Sequence, residues 1–575
     1  MINPKQATFA SLGKVSTHIL PGAYSRFGSS GQAIGFSSTG NLVFLGTVGG
    51  PEPYKLHWFS TLDDAKELVF TNSMLEILRE AFDPGDDLIP QRIAVMPINS
   101  STQSSAQLLA TAAPIIDLTS VLYGDVSKLI AYKLEDGTIA GSKKVTEKYG
   151  NEERVTRDII RPSFSIIYTG AGTTAVITIT GTTLTTTIGV ATTDALDITL
   201  ADYPTLSELV SYISTAKAGV YTVVLLTAPE ALSTELDAVT AVDIKTVALT
   251  LHSNVQAVID AINSELGFLT AALTSAAVRT MPDNVTTLTR LTAGADGTST
   301  ATEWGVALTA LQMEDIQLIG TDVATAATSV LIKSHVALMN SVEGKSERQA
   351  ILGGETSLAA SQIQSVSLNN RAVNVCWMEF KNYNNSGVLT DFTSVHYAAK
   401  LLGQASALSL NEPMTHKALS VISCSTKLTK TQKEQAVLAG VVVPEVTPSG
   451  VVRTVRSITS SQSTDLKDVE FSIVREMLYI TRDLRTLQED TFTGKAGITG
   501  RLISVESVSR NRLIDYETDL EIIMADPKAP VAKPAFWDLT WEVVGDKILT
   551  KFHARVVSPI NFQFVTALFE VLATT

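Results

Sequence analysis

Apolar residues in the last quarter of the chain recur with two different rhythms. Ile473, Met477, Ile480, Leu484 and Leu487 alternate at spacings of four and three, which is one face of an α-helix, so the pattern predicts a helix over 466–487. Arg475, Glu476, Arg482, Asp483 and Arg485 fall off that stripe, and Gly494 and Gly497 interrupt the pattern before a second predicted helix over 498–516. The rhythm then shortens to two. Trp537, Leu539, Trp541 and Val543 point one way, Gly545-Asp546 marks a turn, and Ile548, Phe552, Ala554 and Val556 continue on a second strand. A last run, Ile560, Phe562 and Phe564, follows Pro559. A free two-stranded ribbon is marginal in water, so these strands need a partner, in this chain's own sheet or in a neighbour's.

Residues 1–40 are Gly- and Ser-rich around an apolar extended segment over 18–27 that Pro21-Gly22 keeps out of a helix. Such a stretch makes no core alone and suits the edge of another sheet. The continuous apolar run 41–48 reads as a buried strand, followed by helices from Leu62 and Met74 with capping boxes at Thr61/Asp64 and Ser73/Glu76, and by a strand over 92–96. From 123 to 291 threonine dominates, and from Ser163 to Arg290 there are 4 Lys+Arg against 11 Asp+Glu, so this segment reads as an acidic, β-rich, inserted outer α+β domain. Within it, Thr205/Glu208 caps a helix, a strand covers 220–226, and a second helix covers 254–266. A helix capped by Thr300/Glu303 then leads into a strand over 316–319. Strands over 350–352, 373–378, 419–423 and 441–443 alternate with helices, one of them capped by Thr431/Glu434 and ended by Gly440. The expected class is α/β with a β-rich insert. Its segments are an extended arm 1–40, a first core part 41–122, the insert 123–291, a second core part 292–450 and a C-terminal α+β domain 451–575.

Composition sharpens the picture. At about 150 residues per domain, 575 residues make three to five domains, and 45% apolar content with mean hydropathy +0.20 argues for extensive buried surface. A net charge of −14 argues against nucleic acid and anionic membranes as partners. From Val451 onward 15 Lys+Arg meet 17 Asp+Glu, so the tail is nearly balanced within an acidic chain. Cys376 and Cys424, each in an apolar run, form no disulfide framework and fit a reducing compartment. The N-terminus lacks the order of a signal peptide, and the uncharged stretch 163–193 reads as Thr-rich strands and turns, so no membrane insertion is expected.

The sequence holds no metallopeptidase helix, Cys-x-x-Cys pair, phosphate loop or nucleophile elbow, and its seven histidines never fall at metal-ligand spacing. No catalytic residue, metal site or cofactor is therefore expected. Gly294-Ala295-Asp296-Gly297 has one carboxylate and no adjacent lysine, which makes Gly294, Asp296 and Gly297 a structural turn.

Several pieces nevertheless share an order. Pro21-Gly22-Ala23-Tyr24 resembles the Pro-Gly-Val-Tyr arm of contractile bacteriophage tail sheath proteins. The 291–297 stretch (LTAGADG) resembles that family's Gly-Gly-x-Asp-Gly turn, with Ala293 in place of the first Gly. Trp304 and Leu311, 316–320, 335–339, 398–405 (AAKLLGQA), 412–417, 440–443, 453–459 (RTVRSIT), Tyr479, Arg482 and Phe492-Thr493-Gly494-Lys495 follow in the family's sequence. The resemblance spans about 19–570 and is least specific in the insert.

It implies a subtilisin-like, three-layer, non-catalytic α/β core. It also implies subunits in stacked hexameric rings forming a helical sheath around a tail tube protein, with baseplate and tail terminator or neck proteins at the ends. The place implied is the virion tail, after assembly in the host cytoplasm. Strand exchange in such a mesh gives the orphan segments their partners, through Ile19, Leu20, Tyr24 and Phe27 at one end and Ile560, Phe562, Phe564 and Leu568 at the other. The helix bearing Arg475, Arg482 and Arg485 is the candidate tube-facing side; pairing with Glu476 and Asp483 on the same helix is the competing role. A headless contractile injection particle shares the expected fold, and a secreted adhesin or hydrolase is the alternative from another class.

Overall fold

The computed structural model describes residues 7–11, 14–18, 37–90, 92–274, 278–495, 497, 499–544 and 547–563. Its centre is a seven-stranded sheet in the order Val441–Val442, Val373–Cys376, Gln349–Gly353, Leu318–Thr321, Leu42–Gly46, Ile93–Pro97, His57–Phe59. The first six strands run parallel and His57–Phe59 closes one edge antiparallel. Alternate residues of each strand enter two separate cores, because successive side chains leave a strand on opposite faces. Leu42, Phe44, Ile93 and Val95 pack with helices Asn72–Phe82 and Ser394–Ala407. Val43, Leu45, Ala94 and Met96 pack with Ala301–Leu311 and Ala326–Met339. Both faces are covered, which is why these strands read as unbroken apolar runs.

The insert is two nested units. The inner one joins a three-stranded sheet (Leu269–Leu273, Ala113–Tyr123, Gln103–Ala110) to a four-stranded sheet (Glu152–Ile159, Lys143–Tyr149, Ala131–Asp136, Val285–Arg290) around helix Asn254–Glu265. Its strands start at Gln103, twenty residues before the composition changes, because Gln103–Ala110 is half polar and its apolar run is only the three residues 108–110. The outer unit, within 162–252, has its own core of two small sheets and helix Leu206–Ala216.

At the C-terminal end Leu466–Val469 and Phe471–Phe492 replace the single helix expected over 466–487, with Glu470 extended between them. Thr499–Thr518 follows, and then the hairpin Phe536–Val544/Lys547–Ala554. Near the start of the chain, Ala7–Ser11 and Lys14–His18 pair antiparallel. Ile19, Leu20, Tyr24 and Phe27, and likewise Phe564 and Leu568, lie outside the described residues.

Candidate assembly surfaces

The long helix Phe471–Phe492 turns its arginines toward the α/β core. Arg475 donates to the carbonyls of Thr39 (3.0 Å) and Leu408 (3.3 Å). Arg482 donates to Ser38 Oγ and Asp315 Oδ1, both at 2.8 Å. Arg485 clamps Glu347 with two bonds, 2.5 and 2.7 Å, and reaches the Lys345 carbonyl at 2.6 Å. Arg475 and Arg482 are buried, and neither they nor Arg485 pair with Glu476 or Asp483. The outward cationic face expected from the helix sequence is thus spent on this chain's own core. Apolar stripe and charged flank both face inward, since the helix is covered on more than one side.

Asp483, offered by the sequence as a same-helix partner for the arginines, is instead the hub of this docking. One carboxylate oxygen accepts the Ser37 amide at 2.7 Å; the other accepts the Tyr516 hydroxyl at 2.6 Å and meets Arg512 Nε at 3.1 Å. Glu470, one residue before the helix, accepts Asn561 Nδ2 at 3.0 Å and contacts Arg456 at 3.3 Å. One element therefore holds the roots of both terminal segments, 37–39 and 561. Nothing in the local sequence marks these partners, because each lies tens to hundreds of residues away along the chain.

On either side of Asn561 the described chain is open to solvent. Ile560 is 82% and Phe562 69% exposed, and the Phe562 ring lies 5.7 Å from the Arg456 guanidinium. The last apolar run is not a strand within the described residues. Phe562 borders a groove of about 540 Å³ with Val437, Leu438, Val455 and Arg456, of which Val455 packs against Val441 and Val443. The C-terminal hairpin has no third strand among the described residues. A register shift between Trp537 and Thr540, with Asp538 at φ +53°, breaks the expected alternation. Phe536, Leu539 and Phe552 pack on Tyr516 and Ile522, while Trp537 turns outward and stacks on His553 at 5.3 Å.

The 293–297 turn joins core to insert. Asp296 serves not its own turn but the Asp125 amide (2.8 Å), and its carbonyl accepts Asn99 Nδ2. Gly294 donates to Ser104 Oγ at 3.1 Å, and a Cβ there would sit 2.3 Å from the hydroxyls of Ser104 and Ser127. Gly297 has φ +70° and Ala293 φ +74°, so Ala293 holds a conformation that glycine takes more cheaply.

Among the described residues, no group of three or more His, Cys, Asp or Glu could hold a metal ion, and no helix is long and apolar enough to cross a membrane. Cys376 is buried and burial pushes its thiol up; Cys424 is only half-buried.

The layered α/β body thus has segments 37–39 and 561 bound to one helical element and carries a two-stranded C-terminal hairpin. No family model matches the chain. The chain is 25% identical over 576 residues to the tail sheath protein of Bacillus phage SP01, covering 96% of this chain and 95% of that one. It is 23% identical over 480 residues to a putative tail sheath protein of Enterococcus phage phiEF24C, covering 80% and 82%. Its fold matches sheath tail proteins from Desulfitobacterium hafniense (TM-score 0.54, 14% identity, 94% and 97% covered) and Listeria innocua (0.57, 12%, 91% and 93%). The chain is thus similar along nearly its whole length to a phage tail sheath protein, and its fold is that of sheath tail proteins.

Proposed function

We propose that this chain is the repeating structural subunit of a contractile phage tail sheath, which polymerises around the tail tube and shortens to drive it through the host envelope. The observation that carries the reading is the relation to the SP01 tail sheath protein along 96% of the chain. The core is read as subtilisin-like in outline but without catalytic work, and the subunit as a virion-tail component assembled in the host cytoplasm. Its partners are further copies in stacked hexameric rings, the tube, the baseplate and the terminator or neck proteins.

Contacts that repeat without closing build a filament, and strands lent to neighbours make it a continuous mesh. Ile19, Leu20, Tyr24 and Phe27 serve as one arm, and Ile560, Phe562, Phe564 and Leu568 as the other. The exposure of Ile560 and Phe562 and the unpaired edges of the hairpin support this reading. A few added backbone hydrogen bonds at roughly 0.5–1.5 kcal/mol each, with one or two buried aromatic side chains, make a link of several kcal/mol. Because both roots sit on 470–483, a pull on either arm is carried by the same helix. The Gly-rich 28–40 and the 526–534 segment (DPKAPVAKP) are the joints that let cores move while the mesh holds.

The test is negative-stain electron microscopy of the expressed chain, alone and with tube protein. Hollow ridged tubes or stacked rings are expected, and a monomer under both conditions overturns the reading. Deleting 562–575 should leave a soluble subunit that forms none; sheaths of normal length from that deletion would refute strand donation.

A further inference from the structure

Between the long helix and the strands at 317–318 and 349 lies a cavity of about 30 Å³. Three of its lining residues carry a buried polar atom without a hydrogen-bond partner: Gln349 Nε2 and Arg475 Nε, which donate, and Tyr479 Oη, whose hydroxyl can donate. The residues that carry them are each no more than 6% exposed. An unsatisfied buried donor costs about 1–3 kcal/mol, more when charged, so three on residues that line one void point to an occupant.

The charge around the void indicates its sign. Arg482 and Arg485 have carboxylate partners in Asp315 and Glu347. Arg348, whose neighbours are His335 Nε2, Ser346 Oγ and three carbonyls, has none, and Arg475 bonds only carbonyls. His335 supplies no charge, since burial and Arg348 lower its pKa to about 4. Glu476 adjoins Arg475, but burial raises its pKa to about 9, leaving it protonated at neutral pH. Asp483 is committed to Arg512 and Tyr516. Neither buried guanidinium thus has a salt-bridge partner, Asp315 acting on Arg348 only from beyond contact distance, a costly arrangement in a protein interior.

We propose that this cavity is a small-anion site that takes a halide ion, held by Gln349, Arg475 and Tyr479 and compensating Arg348 and Arg475. One water-sized sphere needs about 10–15 Å³ by this measure, so the space admits a monatomic ion and excludes tetrahedral oxyanions. The ion would join the core, the 37–39 entry and the long helix at the point where all three meet, and its binding would stabilise their docking.

The test follows thermal unfolding of the full-length subunit while sodium chloride replaces sodium gluconate at constant ionic strength. A saturable rise in Tm is expected for the natural chain, absent in the Gln349→Leu, Tyr479→Phe double variant. An equal rise in both would place the effect elsewhere and overturn the site. Crystals of the natural chain soaked in bromide provide the second measurement, independent of whether the variant folds. An anomalous peak among the three donors supports the proposal, and ordered water without anomalous signal refutes it.

Discussion

Glu470 shows how one side chain can tie stability to pH. It sits in the extended step between two helices, fully shielded, with one oxygen on Arg456 and Asn561 and the other unpartnered. Burial outweighs the attraction of Arg456 and raises its pKa from 4.5 to about 7. With the folded value above the unfolded one, the stabilising contribution is complete below pH 4.5 and is lost as pH rises toward 7. The loss is up to about 1.4 kcal/mol per pH unit, because the unfolded chain releases the proton first. Asp237 and Asp322, both raised to about 6, titrate in the same window. The difference between natural chain and Glu470→Gln isolates the one group. The variant should match the natural chain near pH 4.5, exceed it at pH 8, and show a flatter profile in denaturant titrations between them. A variant weaker at pH 8 would mean that the ionised pairing with Arg456 and Asn561 outweighs burial.

For the elements, legibility followed the range of the interaction that fixes them. The parallel strands were readable because burial on both faces writes one apolar run per strand, and the boxes at Thr61, Thr205 and Thr300 form because their bonds stay within one turn. The same motif misled elsewhere. Helix Asn72–Phe82 starts from Thr71, and Glu76, expected in a box with Ser73, is instead buried against Arg79 and the Asn385 amide. Lys430–Leu438 is capped by Thr429/Gln432, since two overlapping Thr-x-x patterns compete there and sequence does not choose between them. Of the strand expected over 419–423, only Ser423–Cys424 forms, on the edge of a hairpin. The destination of the three arginines was illegible because Asp315 and Glu347 lie 167 and 138 residues away from Arg482 and Arg485. Asp483 tests the docking they make. Asp483→Ala removes the acceptor of the Ser37 amide and of the buried Tyr516 hydroxyl, so a loss of about 1–3 kcal/mol is expected in denaturant unfolding. Hydrogen exchange should quicken at 37–40 while the central strands stay protected. Unchanged exchange there would show that Arg475 and Arg482 alone hold the entry segment.

Across the whole molecule, the outer unit is attached at a single narrow waist. Pro162 pairs with His252, Ser163 Oγ lies 2.7 Å from Ser253 Oγ, and the Ser253 amide donates to the Arg161 carbonyl, so the chain leaves and returns at adjacent positions. The core of the outer unit shares no buried residue with that of the inner unit. Replacing 163–252 with two glycines should therefore leave a folded remainder, and the natural chain is expected to unfold with a separate transition for the outer unit. The Ala238 amide also donates to the Arg279 carbonyl at 2.8 Å, but a side-chain contact sets the cost. Asp237 accepts the Asn254 and Val255 amides at 2.7 and 3.0 Å and so caps the inner unit's helix from outside, a bond worth about 1 kcal/mol. Ser253 occupies the N-cap position without capping, its hydroxyl being close to Ser163. After the deletion that hydroxyl is free to take over the cap, and the remainder should lose about 1 kcal/mol or less. Calorimetry of both chains measures this. A single transition in the natural chain, or collapse of the remainder, would mean that the waist transmits folding and that the insert is one unit.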